Sequence, residues 1–376
     1  MSVYLDYNAT AKVRPEAAEA VARALELGGN PSSAHAAGRA ARAMVETARA
    51  EVAALVGARP AAVTFLSGGT EASALAIESA VLAGVERIII GATEHDAVVE
   101  TARATGLPLD VWPVDADGVA DVLWLVRSLG AGPRALVCLM AANNETGVIQ
   151  PVAEAAEVVR RSGGWLHVDA VQAAGKIALD FEALGADTLA LSAHKLGGPQ
   201  GVGALVAAPT ATLSRRLHGG GQERGRRAGT ENVPGIAGFG AAAKAAARDL
   251  GEFARLAADR DRLAQTVKAA GAVVIGEGAP RLPQTLCFAA PGFGSELQVM
   301  GLDLAGVMVS AGAACSSGKV KPSGVVEAMG RPDLATFVVR VSGGWATTPA
   351  DWARCGEAWL EAQARHAARR PAAVPA

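Results

Sequence analysis

The run LALSAHKLGGPQGVG, residues 189–203, ends an apolar stretch at Ser192, presents His194 and Lys195, and then dissolves into glycines. A lysine where a strand ends and the backbone turns suits a reacting amine. A lysine that merely lays its stem along apolar surface would read the same way. A second run, GWLHVDAVQ at 164–172, ends its apolar stretch in Asp169. Open α/β sheets bind ligands beyond the carboxyl ends of their strands, so two strand-end groups can converge on one crevice. An amine that holds an aldehyde as a Schiff base, and an acid that keeps a pyridine nitrogen protonated, are the pair that pyridoxal phosphate requires.

Other residue types add to this pair. Cys138 and Cys287 lie inside apolar runs and Cys355 in an amphipathic pattern, which marks all three as buried small hydrophobes. Cys315 differs, because it sits in the Gly/Ser/Ala-rich stretch 310–322 with Lys319 and Lys321 nearby. That electropositive setting favours a nucleophilic thiolate. His95 and His194 fall at strand ends and suit proton transfer near neutral pH, whereas His167 reads as a core side chain and His366 as solvated. Arg340, a planar fork at a strand end, suits a carboxylate, with a structural salt bridge as the alternative. The SGGTEA turn at 67–72 is a strand-to-helix turn of small residues, where backbone N–H groups and a helix dipole favour an anion. Downstream, Arg224, Arg226 and Arg227 stand among glycines in a loop that fits closure over a phosphate or a neighbouring subunit.

The elements that must carry these residues follow from periodicity. Apolar runs at 63–66, 87–90, 109–114 and 135–140 read as strands, alternating with helical patterns at 15–27, 39–56 and 119–129. Strands alternating with helices over the first ~210 residues argue for a mostly parallel sheet covered on both faces. After an Ala-rich helical stretch from Pro234 toward Ala270 the texture changes. Strands are expected at 272–275, 284–289 and 337–342, and helices at 296–304 and from Pro349, with a frayed tail after Trp359. This reads as a second, smaller α+β domain.

The chain has 376 residues, 51% of them hydrophobic, and a net charge of −2, so nothing global attracts nucleic acid or an anionic membrane. Its N-terminus shows no basic region followed by an apolar core, and no apolar run is long enough for a bilayer. Four cysteines without close pairing point to neither a zinc site nor a disulfide framework. A cytoplasmic protein is expected, with no nucleic-acid or membrane partner and no metal.

Taken together the motifs resemble one family. LDYNAT (5–10), NPSS (30–33), SGGTE (67–71), TEH (93–95), NNETG (143–147), HVDAVQ (167–172), SAHK (192–195), HGGG (218–221), RAGT (227–230) and SAGAACS (310–316) are similar to the cysteine desulfurases of the NifS/IscS type, from residue 3 to about 350. The resemblance implies an α/β, fold-type I pyridoxal phosphate enzyme of class V. Its large domain, residues 15–250, would hold a mostly parallel, seven-stranded-type sheet, and residues 1–14 and 251–376 would form a smaller domain carrying the Cys315 loop. It implies that Lys195 forms the Schiff base, Asp169 pairs with the pyridine nitrogen, and His95 stacks on the ring and shuttles protons. Gln172 and Asn144 would contact the ring and its phenolic oxygen. Gly69, Thr70, Ser192 and His194 would hold the phosphate, with Thr230 supplied by the second subunit of a homodimer. Arg340, with Asn144, would grip the carboxylate of L-cysteine, and Cys315 would take its sulfur and pass it to a protein acceptor such as an iron–sulfur scaffold.

Some positions depart from the family pattern. Trp345 stands where many relatives carry Arg, Ser73 and Ala74 replace a frequent Asn pair, and Ala228 replaces a common Ser. A selenocysteine lyase or another class V enzyme is the alternative reading. A non-catalytic scaffold would be expected to lose Lys195, Asp169 or Cys315, and all three are present.

Overall fold

Strands buried on both faces read as mostly apolar runs, and five short strands are buried along their whole length. The computed structural model describes residues 2–130, 132–312 and 321–369. Its strands are β1 Val3–Tyr4, β2 Val63–Leu66, β3 Arg87–Gly91, β4 Leu109–Trp112, β5 Ala135–Met140, β6 Trp165–Asp169, β7 Thr188–Ser192, β8 Gly203–Ala207, β9 Val273–Val274, β10 Thr285–Ala289, β11 Val307–Met308, β12 Ser310–Ala311 and β13 Val338–Ser342. Every residue of β2, β5, β6, β7 and β8 is buried. The main sheet has seven strands in the order β2-β8-β7-β6-β5-β3-β4. Only β8 runs against its neighbours β2 and β7, and the remaining pairings are parallel. The parallel strands therefore all end at one edge, which is where the polar residues of the sequence motifs emerge.

Helices cover this sheet by exploiting small residues. Pro15–Leu27, Ala36–Leu55 and Val233–Arg248 pack together through alanines and glycines. A Cβ placed on Gly240 would stand 2.5 Å from the Ala48 Cα, and one on Gly238 would stand 2.7 Å from Val21 Cγ2. The Ala-rich composition is thus what lets the axes approach. The expected helix at 39–56 starts three residues earlier, where the His35 imidazole accepts the Gly38 N–H at 3.3 Å and caps it.

A second sheet, β12-β13-β10-β9, is antiparallel throughout. The N-terminal arm joins this end of the chain, because β1 pairs in parallel with β11 and Asp6 bridges Ser342. Behind the sheet lies a core of Leu286, Phe288, Val339, Val341, Trp352 and Trp359, with Phe288 and Trp359 edge-to-face at 5.3 Å. The last helix, Pro349–Arg369, does not fray after Trp359. Trp359 is fully buried and donates to the Gln298 Oε1 at 2.9 Å, and Ala362 is buried one turn on. His366, expected in solvent, stacks on Phe293 at 4.4 Å and bonds the Gly292 carbonyl at 3.0 Å. Among the described residues no helix is long and apolar enough to cross a membrane, and no cluster of side chains could hold a metal ion.

Candidate active site at the strand ends

Lys195 closes a short turn, Ala193–Lys195, that follows β7. Its Nζ donates to the Asn8 carbonyl and, at 2.8 Å, to the Ala9 carbonyl. Asp169 is the last residue of β6, directly beside β7, so the sheet itself brings amine and acid together. Its carboxyl accepts the Val171 N–H at 2.9 Å, and burial raises its pKa, against which the charges of His95 and Lys195 act. Both residues line a cavity of about 330 Å³ that also takes in Asn8, Gly69, Thr70, His95, Asn144, Gln172, Ser192, His194 and Arg340.

Each neighbour is held by its own element. His95 follows β3 and caps the Asp96–Ala104 helix, its Nδ1 accepting the Ala97 N–H at 3.1 Å. That bond assigns the proton of the neutral ring to Nε2. Asn144 stands in a turn built by its predecessor: the Asn143 Oδ1 accepts from the Glu145 N at 2.9 Å, the Thr146 N at 2.8 Å and the Thr146 hydroxyl at 3.1 Å. The Gln172 Nε2 donates to the Asn8 carbonyl at 3.0 Å. His194, bonded to the Thr10 hydroxyl at 3.2 Å, has its pKa lowered to about 4, first by burial and then by Lys195 and Lys176, and is neutral at pH 7.

The Gly69–Leu82 helix begins at this cavity with no side-chain cap at Gly68. A Cβ on Gly69 would lie 2.8 Å from Val171 Cγ2, so glycine is required for the helix start to approach β6 this closely. Uncapped N–H groups, the Thr70 and Ser192 hydroxyls and neutral His194 fit a phosphate at this helix N-terminus. The buried carboxyl of Asp169 and the amine of Lys195 on the same cavity fit the protonated ring nitrogen and the aldehyde of pyridoxal phosphate. The residues present therefore match the group that the sequence motifs imply.

Arg340 required correction. It lies in the middle of β13 rather than at a strand end, paired with Cys287 on one side and Ser310 on the other. Its guanidinium already bonds Asp6 at 2.8 Å and the Asn144 carbonyl at 3.2 Å. The salt bridge and the cavity-lining position are both real, and its buried Nε finds no hydrogen-bond partner among the described residues. Thr230 is not among the residues lining the Lys195 cavity. It borders a separate depression of about 80 Å³ with Ser67, Arg227 and Glu223.

The arginine loop, expected to close over a phosphate or a neighbouring subunit, is anchored by partners within its own chain. Arg224 and Arg226 donate to the Ala61 carbonyl, Arg227 pairs with Glu71 at 3.1 Å, and Arg216 pairs with Glu78 at 2.5 Å. Glu223, buried, makes a bidentate pair with Arg49 at 2.8 Å and accepts the Phe65 N–H. The loop is tied down by its own chain.

Cys138, Cys287 and Cys355 are buried, and burial pushes each thiol pKa up, with Cys355 at about 12, as expected of small hydrophobes. His167 is likewise a core side chain, fully buried against the Thr188 hydroxyl at 3.0 Å, with its pKa lowered to about 3. Cys315 lies outside the described residues. The described residues on either side of its segment, Gly312 and Lys321, line a second cavity of about 330 Å³ together with His95, Asn144 and Arg340.

Four residues at the site carry no role in the sequence analysis. Asn8 and Ala9 accept from Lys195, although the arm holding them had been noted only as a motif. Glu94, inside the TEH motif, is buried, and Lys176 is buried beside Gln172. A charge four residues past Gln172 on a tight turn was the available signal for Lys176.

Comparison with known proteins places this geometry in context. The pattern of the class-V aminotransferases matches residues 3–353. A cysteine desulfurase of Cereibacter sphaeroides is 44% identical over 361 residues, covering 93% of this chain and 92% of its own. A cysteine desulfurase IscS of Dictyoglomus turgidum is 38% identical, covering 93% and 91%. A solved NifS-like protein of Rickettsia africae superposes with a TM-score of 0.89 at 30% identity, over 97% of this chain and all of the other.

Proposed function

The chain belongs to the class-V aminotransferase family, and from that membership we propose that it is a pyridoxal phosphate-dependent cysteine desulfurase, converting L-cysteine to L-alanine. The observation that carries the proposal is the convergence of Lys195, Asp169, His95 and Gln172 on one cavity whose end is an uncapped helix start. When bound, pyridoxal phosphate supplies an electron-accepting ring that acidifies the substrate's α-hydrogen. Lys195, the lysine that lines the cavity, would hold the aldehyde and supply an amine that can move a proton. Asp169 would hold the ring nitrogen in its protonated form, since a cation beside a buried carboxyl favours its charged state. His95, its Nδ1 fixed by Ala97, presents Nε2 for stacking and proton transfer. Gly69, Thr70, Ser192 and His194 seat the phosphate, and Arg340 with Asn144 orients the substrate carboxylate.

Cys315 accepts the sulfur: its thiolate Sγ bonds the substrate sulfur as the sulfur–Cβ bond breaks, the electron pair of that bond stays on Cβ, which takes up a proton to become the methyl of alanine, and a persulfide is left on the enzyme. The second cavity, bordered by Gly312 and Lys321 and sharing His95, Asn144 and Arg340 with the first, supports that role. The persulfide passes to a protein acceptor for iron–sulfur cluster or thiolated-cofactor synthesis. The working form is a homodimer in which Thr230 completes the partner's phosphate site. Residues 15–250 form the larger domain, and residues 1–14 with 251–376 the smaller. Three unpaired thiols support a reducing, cytoplasmic setting.

The test is incubation with L-cysteine, measuring alanine and sulfide together with mass spectrometry of the Cys315 peptide. Alanine in step with a 32-dalton persulfide adduct, roughly one sulfur atom per site, is the expected result. Full desulfuration by Cys315→Ser would overturn the role of the thiol, and a wild type without alanine would overturn the reaction.

A further inference from the structure

Lys176 is a lysine where lysine is costly. It is 4% exposed and, among the described residues, forms no ion pair with a carboxylate. Its Nζ donates to the Gln172 Oε1 at 2.7 Å. The charged and titratable groups that face it are Lys195 and His194 from the turn after β7 and Arg340 from β13. Burial first, then the charges of Lys195 and Arg340, hold its pKa well below the ordinary lysine value.

The backbone leaves this side chain little freedom. Gly175, at φ +69°, wedges the turn against the Val233–Arg248 helix and Leu196, since a Cβ there would stand 2.9 Å from both Ala246 Cβ and Leu196 Cδ2. Lys176 thus enters the core at a fixed point, one turn beyond Gln172. From it runs a directed chain: Lys176 Nζ to Gln172 Oε1, and Gln172 Nε2 to the Asn8 carbonyl, which also accepts from Lys195. A carboxamide has two ends of nearly equal shape, so only its partners decide which end faces where. A buried Oε1 that lost its donor would be left unsatisfied, and the carboxamide would swing to find another.

We propose that Lys176 is a positioning residue acting through Gln172, pinning the carboxamide so that its Nε2 hydrogens serve the Asn8 carbonyl and the cavity wall. The proposal rests on the reading that this cavity holds pyridoxal phosphate, whose phenolic oxygen is the acceptor such a donor would meet.

A double-mutant cycle tests it, using Lys176→Met, Gln172→Ala and the double variant, each reconstituted with pyridoxal phosphate. Two quantities are read, the cofactor's dissociation constant and the apparent pKa of the visible Schiff-base band. Lys176→Met is expected to weaken cofactor binding about tenfold and to move the band's pKa, yet to change either by less than about twofold in the Gln172→Ala background. An effect that persists undiminished in that background, or no effect in either, overturns the proposal. Should Lys176→Met fail to fold, Lys176→Gln is measured through the same cycle and held to the same result. A wild type that forms no Schiff-base band overturns the cofactor reading and this inference together. A wild type that forms the band, with an unaltered Lys176→Met, overturns this inference alone.

Discussion

Glu94 is buried, and its environment penalises the charged form from two directions. Burial is the larger cause and the neighbouring Asp169 the second, and together they raise its pKa from 4.5 to about 8, while the Met140 N–H, donated to Oε1, opposes them. Its Oε2 has no hydrogen-bond partner among the described residues. The folded chain therefore binds this proton more tightly than the unfolded chain does. Stability is present in full below pH 4.5, falls as the pH rises from there, and levels off above about 8. Glu94→Gln keeps the acceptor for Met140 and removes the titration. In cofactor-free protein, urea denaturation should show the variant's advantage over wild type growing by about 2–4 kcal/mol between pH 5 and pH 9. Parallel pH profiles for the two proteins would show that Glu94 ionises in the fold as easily as in water. The TEH motif was legible in the sequence, but this property was not, because burial by β3 and β5 is tertiary.

At the scale of elements, legibility followed how local the determinants are. Strands buried on both faces show as continuous apolar runs, and the cavity-lining residues at their ends were readable for that reason. The partners that hold the arginine loop within its own chain are not legible locally because they are remote. Arg49, which holds Glu223, lies 174 residues away, and Glu71, which holds Arg227, lies 156 away. That pairing also keeps Glu223 and Arg224 at φ 47° and 58°, a left-handed conformation that costs non-glycine residues about 1–2 kcal/mol each. The last helix was cut short in the sequence reading because polar composition hid the burial of Ala362. Close helix contacts were equally invisible, since a glycine inside an Ala-rich helix reads as a weakness. At an open helical site Gly→Ala would stabilise by about 1 kcal/mol. Gly240→Ala, however, drives a Cβ to 2.5 Å from the Ala48 Cα, a backbone atom that cannot rotate away. The expected outcome is a loss of about 1–3 kcal/mol by urea denaturation, and a gain would mean that the two helices part without cost.

For the whole molecule, the placement of Thr230 outside its own chain's Lys195 cavity has a consequence that mixing can read. In the proposed homodimer a two-fold axis sets each Thr230 against the partner's phosphate seat, so each site needs Lys195 from one chain and Thr230 from the other. Thr230→Ala alone should weaken cofactor binding by about tenfold, the loss expected for one hydrogen bond to a charged group, and Lys195→Ala alone should be inactive. At limiting cofactor both pure variants are then poor enzymes. Equal amounts unfolded and refolded together assort at random, so that half the dimers pair one variant with the other. Each mixed dimer holds one site with both residues intact and one with neither, which restores about a quarter of the wild-type sites. Recovery of about a quarter of the alanine-forming activity is therefore expected of the refolded mixture and not of the same variants mixed without refolding. If the mixture performs as the average of its parents, Thr230 serves its own chain or no site at all, and the depression it borders with Ser67 and Arg227 is only part of the fold.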